Sequence, residues 1–153
     1  MSVSGAGLGI DTRHLESWLA RNVHGYAGPA AAEKFADGQS NPTYRLTAKS
    51  GTYVLRRKPP GALLASAHAV DREFRVLEAL GRAGMPVPRV FALCADESVI
   101  GSMFYVMEFV DGRVLWEPTL PGMTPAERAA IFDSMNETIA KLHCVDYAAV
   151  GLG

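Results

Sequence analysis

Thr52-Tyr53-Val54-Leu55-Arg56-Arg57, stopped by Pro59-Pro60-Gly61 and followed by a helical stretch over 67–83, is the passage on which the fold turns. Its first half is β-branched and aromatic, the composition of a strand. Alternation places Tyr53, Leu55 and Arg57 on one face and Thr52, Val54 and Arg56 on the other. The helix that follows turns about 100° per residue, so Val70, Phe74, Leu77 and Leu80 share one apolar arc. Asp71, Arg72, Arg75, Glu78 and Arg82 fall outside that arc, on the solvent side. Glu73 falls inside it, between Leu77 and Leu80. A carboxylate there is costly unless it meets a cation or good donors. The preceding strand offers the cation, but alternation alone does not choose among Arg56, Arg57 and Lys58. The alternative is a Glu73 that snorkels to the helix edge while Arg56 stays a solvated sheet residue.

Outward from this passage, Ser50-Gly51 is a turn leading back to the run Thr43-Tyr44-Arg45-Leu46-Thr47. Asp37-Gly38-Gln39-Ser40-Asn41-Pro42 is a second turn, leading back to a short run around Phe35. Three strands on short turns read as an antiparallel meander. Upstream, Asp11 or Thr12 caps a helix whose stripe is Leu15, Trp18, Leu19 and Val23, with Gly25 as its stop. Residues 1–10 are Gly- and Ser-rich and expected to be mobile. Downstream, Gly84 and Pro86 close the second helix. Val87–Leu93 and Met103–Phe109 read as a fourth and fifth strand, and Asp111-Gly112 as a turn. Thr124-Pro125-Ala126-Glu127 has the form of a capping box with proline at the first helical position. The helix it opens carries Ile131, Phe132, Met135, Ile139 and Leu142 on one face. Strands interrupted by single helices indicate an α+β protein built on a five-stranded antiparallel sheet.

Composition bounds the function. The 153 residues suffice for one domain with a real core. Lys and Arg number 15 against 16 Asp and Glu, so the net charge of -1 gives no general electrostatic hold on nucleic acid or an anionic membrane. Cys94 and Cys144 stand fifty positions apart, fit no metal-ligand spacing, and read as reduced thiols. No apolar run reaches the roughly 20 residues that span a bilayer, and the N-terminus lacks a signal-peptide pattern. The expectation is a soluble, cytoplasmic protein.

A basic third strand, a Glu on the next helix, a turn between the first two strands and a fifth strand running into Met107-Glu108-Phe109-Val110 together resemble the amino-terminal lobe of the kinase fold. More narrowly, the chain is similar to the aminoglycoside phosphotransferase family, in the branch found in acyl-CoA dehydrogenase fusion proteins. The segments that carry the likeness are Phe35–Tyr44, Tyr53–Gly61 and Phe104–Phe109, and the match covers about residues 30–153. Beyond the Gly- and Ser-rich stretch over 1–10, the resemblance implies an N-lobe with its leading helix over 11–110, and a hinge exit with the start of a C-lobe over 111–153.

It also implies roles. The turn over 37–42 would cover the triphosphate of ATP, with Gly38 permitting close approach and Ser40 and Asn41 donating to phosphate oxygens. This turn has one glycine where protein kinases have three. Arg56 would replace the usual third-strand lysine, binding phosphate and pairing with Glu73, which settles the choice among the three basic residues. Val54 would line the adenine pocket. Met107, Glu108 and Val110 would form the hinge, with the Glu108 carbonyl and the Val110 N–H reading adenine.

The family's chemistry further uses a His-Gly-Asp loop with a downstream Asn, and an Asp that holds Mg²⁺. None of His14, His24, His68 and His143 precedes Gly-Asp, and His143 reads as a helix end. The reading is therefore the ATP-binding part of a phosphotransferase for a small-molecule hydroxyl, such as a hydroxyacyl compound, an amino sugar or a choline-like alcohol. It is expected to be inactive alone, with Mg²⁺ required by the full-length enzyme. The alternatives are a non-catalytic nucleotide-binding or regulatory module and an α+β interaction domain without nucleotide.

Overall fold

The strand and helix patterns resolve into eight elements in a computed structural model that describes residues 12–35, 41–59 and 69–153. In order they are α1 (Thr12–Asn22), β1 (Ala31–Lys34), β2 (Thr43–Ala48), β3 (Gly51–Arg57), α2 (Val70–Arg82), β4 (Val90–Cys94), β5 (Phe104–Glu108) and α3 (Pro125–His143). Residues 1–10, the Asp11 cap, the turn positions 37–40 and the first two residues of the expected second helix, 67 and 68, lie outside the described residues, and Ala69 precedes the helix. Contacts group the chain into two units. One holds residues up to Glu78 with Pro88–Phe109; the other holds Ala79–Val87 with Val110–Gly153.

In the first unit the strands form one antiparallel sheet in the order β1-β2-β3-β5-β4. The meander β1-β2-β3 is as the turns predicted. Gly51 closes the β2–β3 hairpin at φ 135°, a conformation that favours glycine. The insertion of β5 between β3 and β4 was not legible. Its physical reason is burial: Phe104, Tyr105 and Val106 are apolar on both faces and all buried, which suits a central strand. Phe35 itself follows β1, although its N–H still donates to the Thr43 carbonyl at 3.0 Å. β4 starts three residues later than its apolar run, past Pro88, whose missing N–H cannot join the ladder.

The core lies on one face of this sheet. Leu15, Trp18, Leu19 and Val23 of α1 and the turn after it pack with Tyr44, Leu46, Tyr53, Leu55, Phe104 and Val106. Trp18 meets Phe104 edge-on, ring centres 4.8 Å apart. The loop leaving α1 is tied back by Glu16, which accepts from the Tyr26 hydroxyl at 2.7 Å and the Ala30 N–H at 2.6 Å.

In the second unit, α2 ends in a Schellman motif. The Met85 N–H reaches the Leu80 carbonyl at 3.0 Å and the Gly84 N–H reaches Gly81 at 3.1 Å, with Gly84 at φ 75°. The α3 start is as the sequence specified. Thr124 caps it, its hydroxyl accepting from the Glu127 N–H, while the Glu127 carboxylate accepts from the Thr124 N–H at 2.8 Å. The helix ends at His143. Its apolar stripe is largely open: Phe132, Met135, Ile139 and Leu142 are exposed and Ile131 half-buried. Cys94 is buried, Cys144 exposed, and both are free thiols. No helix among the described residues is long and apolar enough to cross a membrane.

Two measurements follow from this burial pattern. Phe104→Ala should lower unfolding free energy by about 3–5 kcal/mol in urea titrations, whereas Phe132→Ala should change it by roughly 0.5 kcal/mol or less. The chain should also enhance the fluorescence of a hydrophobic dye above that of a well-packed control domain. Dye binding no greater than the control would contradict an open α3 stripe.

Candidate functional site

The sheet face opposite the core is built from rows of cross-strand neighbours. Register sets Thr43 beside Arg56 and Arg56 beside Tyr105, giving one row across β2, β3 and β5. The next row on that face is Arg45, Val54 and Met107. α2 contributes Glu73 to the first row. Alternation on β3 thus sorts its two arginines. Arg57 lies on the core side, 5 % exposed, with Nε donating to Ser102 Oγ at 2.9 Å. Arg56 is the one that meets Glu73.

The contact is direct. Arg56 Nε donates to Glu73 Oε2 at 2.7 Å, and Nη2 reaches Oε1 at 3.5 Å. The side chains are 28 % and 35 % exposed, so the pair sits at the rim of the interior, neither fully dry nor fully screened. Two further donors complete the carboxylate: Asn41 Nδ2 to Oε1 at 2.8 Å and the Tyr105 hydroxyl to Oε2 at 3.2 Å. These answer the desolvation problem that Glu73 posed in the helix pattern. Burial, reinforced by the Glu73 charge, holds the Tyr105 phenol well above its ordinary range, so it remains a protonated donor.

Arg56 has five N–H donors on a rigid fork. Besides the two bonds to Glu73, Nη1 donates to Thr43 Oγ1 at 3.1 Å. Two N–H groups of the fork meet no acceptor among the described residues. Beside them lies a cavity of about 570 Å³, walled by Arg56, Arg72, Glu73, Tyr105, Val76, Leu77, Pro88 and Met107, with Ala69 at its edge. Arg72, placed on the solvent side by the helix pattern, is exposed yet reaches this wall. The cavity combines apolar surface with guanidinium groups, a combination suited to a flat ring carrying an anionic tail.

The other expected site residues fall as follows. Val54 is buried beside Met107. Met107 is half-buried in the cavity wall. Glu108 ends β5, its N–H donating to the Arg89 carbonyl at 2.8 Å and its carboxylate accepting from the Arg89 N–H at 3.2 Å. Its side chain is thus spent on the β4 edge. Val110 is exposed and belongs to the second unit. Gly38 and Ser40 lie outside the described residues. Asn41, expected to donate to phosphate, is only 2 % exposed and spends an N–H on Glu73. Tyr105 and Thr43 escaped the sequence reading, since only the strand register reveals that they flank Arg56. Among the described residues no group of three or more His, Cys, Asp and Glu side chains comes together to hold a metal ion, so no Mg²⁺ ligands are assigned to them.

The chain is similar to known proteins. Rat acyl-CoA dehydrogenase family member 11 is 47 % identical over 147 residues, covering 94 % of this chain and 19 % of its own length. Mouse acyl-CoA dehydrogenase family member 10 is 48 % identical over 125 residues, covering 82 % of this chain and 12 % of its own. The chain therefore spans less than a fifth of these relatives. A crystal structure from Ralstonia eutropha JMP134, assigned provisionally as an aminoglycoside phosphotransferase, superposes with a TM-score of 0.83 at 53 % identity, over 94 % of this chain and 41 % of that one. A family model described as "Phosphotransferase enzyme family" matches residues 31–153, from β1 through the Arg56–Glu73 site to the C-terminus, and the chain belongs to that kinase-like family.

Proposed function

We propose that this chain is the nucleotide-binding part of an enzyme that moves the terminal phosphoryl group of ATP to a hydroxyl of a small molecule. The observation that carries this reading is the Arg56 guanidinium, fixed at one side by Glu73 and Thr43 and keeping two N–H donors beside the cavity. A guanidinium so held suits phosphate oxygens, which accept two parallel N–H bonds. Val54 and Met107, one row along the same sheet face, offer apolar surface to adenine, and the Glu108 backbone carbonyl would accept from its amino group. In the full-length enzyme Mg²⁺ would neutralise phosphate charge through ligands beyond those described.

The acyl-CoA dehydrogenase names of the relatives favour a hydroxyacyl compound as the phosphoryl acceptor over an amino sugar or a choline-like alcohol. Fold likeness alone does not select a substrate. A dehydrogenase-linked kinase would act where a hydroxyl on an acyl chain has to be activated as a leaving group.

Calorimetric titration with ATP tests the nucleotide reading. Arg56→Ala and Glu73→Ala should each weaken binding by about tenfold or more, the loss of a charge-assisted contact. Unchanged affinity in both variants, or no binding by the wild type, would favour an interaction domain without nucleotide. The 153-residue chain has no His-Gly-Asp loop, so Mg²⁺-ATP with a hydroxyacyl acceptor should yield no phosphorylated product. Product formation by the purified chain would refute that expectation.

A further inference from the structure

Four hydrogen bonds around Arg56 close into a ring. Arg56 Nε donates to Glu73 Oε2 at 2.7 Å. The other oxygen of that carboxylate accepts from Asn41 Nδ2 at 2.8 Å. The Asn41 carbonyl accepts from the Thr43 hydroxyl at 3.0 Å, and Thr43 Oγ1 accepts from Arg56 Nη1 at 3.1 Å. The ring returns to the guanidinium on a different nitrogen from the one it left. Asn41 is therefore joined to two edges of the planar guanidinium, by its side chain through Glu73 and by its backbone carbonyl through Thr43.

We propose that Asn41 and Thr43 are positioning residues that aim the Arg56 fork at the phosphates, and that this ring requires arginine at position 56. The proposal rests on the nucleotide reading above and assigns Asn41 an indirect role in it. Two contacts on separate nitrogens of a rigid plane fix both its tilt and its spin, so its remaining N–H groups point in one direction. A lysine ammonium carries all its donors on one nitrogen at the end of a flexible stem and cannot be held at two separated points. The buried amide of Asn41 serves this purpose well, because its N–H on a carboxylate is a charge-assisted bond.

A double-mutant cycle distinguishes positioning from simple support. Dissociation constants for ATP and for adenosine would be measured on the whole chain as wild type, Asn41→Ala, Thr43→Val and Arg56→Lys. The two doubles that carry Arg56→Lys complete the set, with thermal melts to confirm folding. Thr43→Val keeps shape and removes only the hydroxyl, so it serves even if Asn41→Ala fails to fold. Each ring variant should weaken ATP by about tenfold and leave adenosine within about twofold. In the Arg56→Lys background the same changes should cost less than about twofold, because the fork they aim is gone. Equal losses in both backgrounds, or parallel losses for adenosine, would overturn the proposal.

A nucleotide-free arm keeps the two readings separable. The Arg56 Nε–H should exchange with solvent slowly if the ring holds it, and Thr43→Val should speed that exchange about tenfold by nitrogen-resolved NMR. An unchanged rate would overturn the ring. Failure of the wild type to bind ATP would instead strike the nucleotide reading.

Discussion

The Glu73 carboxylate is the constraint around which the site is organised. It stands on the apolar arc of α2, where an unpaired charge would oppose docking of the helix on the sheet. Every donor it meets comes from a different part of the first unit: Arg56 from β3, Tyr105 from β5 and Asn41 from the entry to β2. Satisfying one carboxylate thus fixes the helix against three segments distant in sequence. Phe74 adds an apolar contact at the same junction, meeting the Tyr105 ring at 6.0 Å. The charge is costly in isolation, and that cost makes the arrangement specific. A helix rotated by one residue would lose the cation and all of the neutral donors together.

The sheet separates the core from the cavity by face. Leu55 and Val54 are neighbours in sequence and both buried, yet Leu55 belongs to the α1 core and Val54 to the row beside the cavity. Arg57 and Arg56 divide in the same way. Arg57 donates to Ser102 on the core side, while Arg56 keeps donors toward the cavity. Side-chain alternation is enough to give two adjacent guanidinium groups unrelated tasks. β3 can do this because β2 and β5 flank it, so from Tyr53 onward the neighbouring strands supply its ladder partners.

Features that depend on local chemistry were legible in the sequence. The α1 stripe of Leu15, Trp18 and Leu19, the capping box at Thr124 and Glu127, and the misfit of Glu73 on α2 all follow from spacing within one element. The choice of Arg56 over Arg57 came from family likeness, since alternation left both open, and the register then gave it a physical reason. Long-range pairing was not legible. Nothing local in β4 or β5 states that β5 pairs with β3, so the neighbourhood of Tyr105 and Arg56 stayed hidden. Asn41 shows the same limit differently: its residue type suits phosphate, but its position two residues before Thr43 turns its amide inward to Glu73.

The ionisation states in the cavity indicate what kind of work it is built for. Burial keeps the Tyr105 phenol protonated, and its proton is directed at Glu73. Both oxygens of Glu73 are occupied by donors from Arg56, Asn41 and Tyr105, which commits the carboxylate to holding those groups in place. A site whose carboxylate and phenol are engaged with each other, while the guanidinium beside them keeps N–H groups toward the cavity, is suited to orienting an anion and stabilising charge on it. It is poorly suited to exchanging protons with a substrate. Phosphoryl transfer needs both functions, and it makes little covalent demand on the groups that hold the nucleotide. On the proposed reading the Arg56 site would serve the first function, and the proton-accepting carboxylate would lie outside this ring of hydrogen bonds.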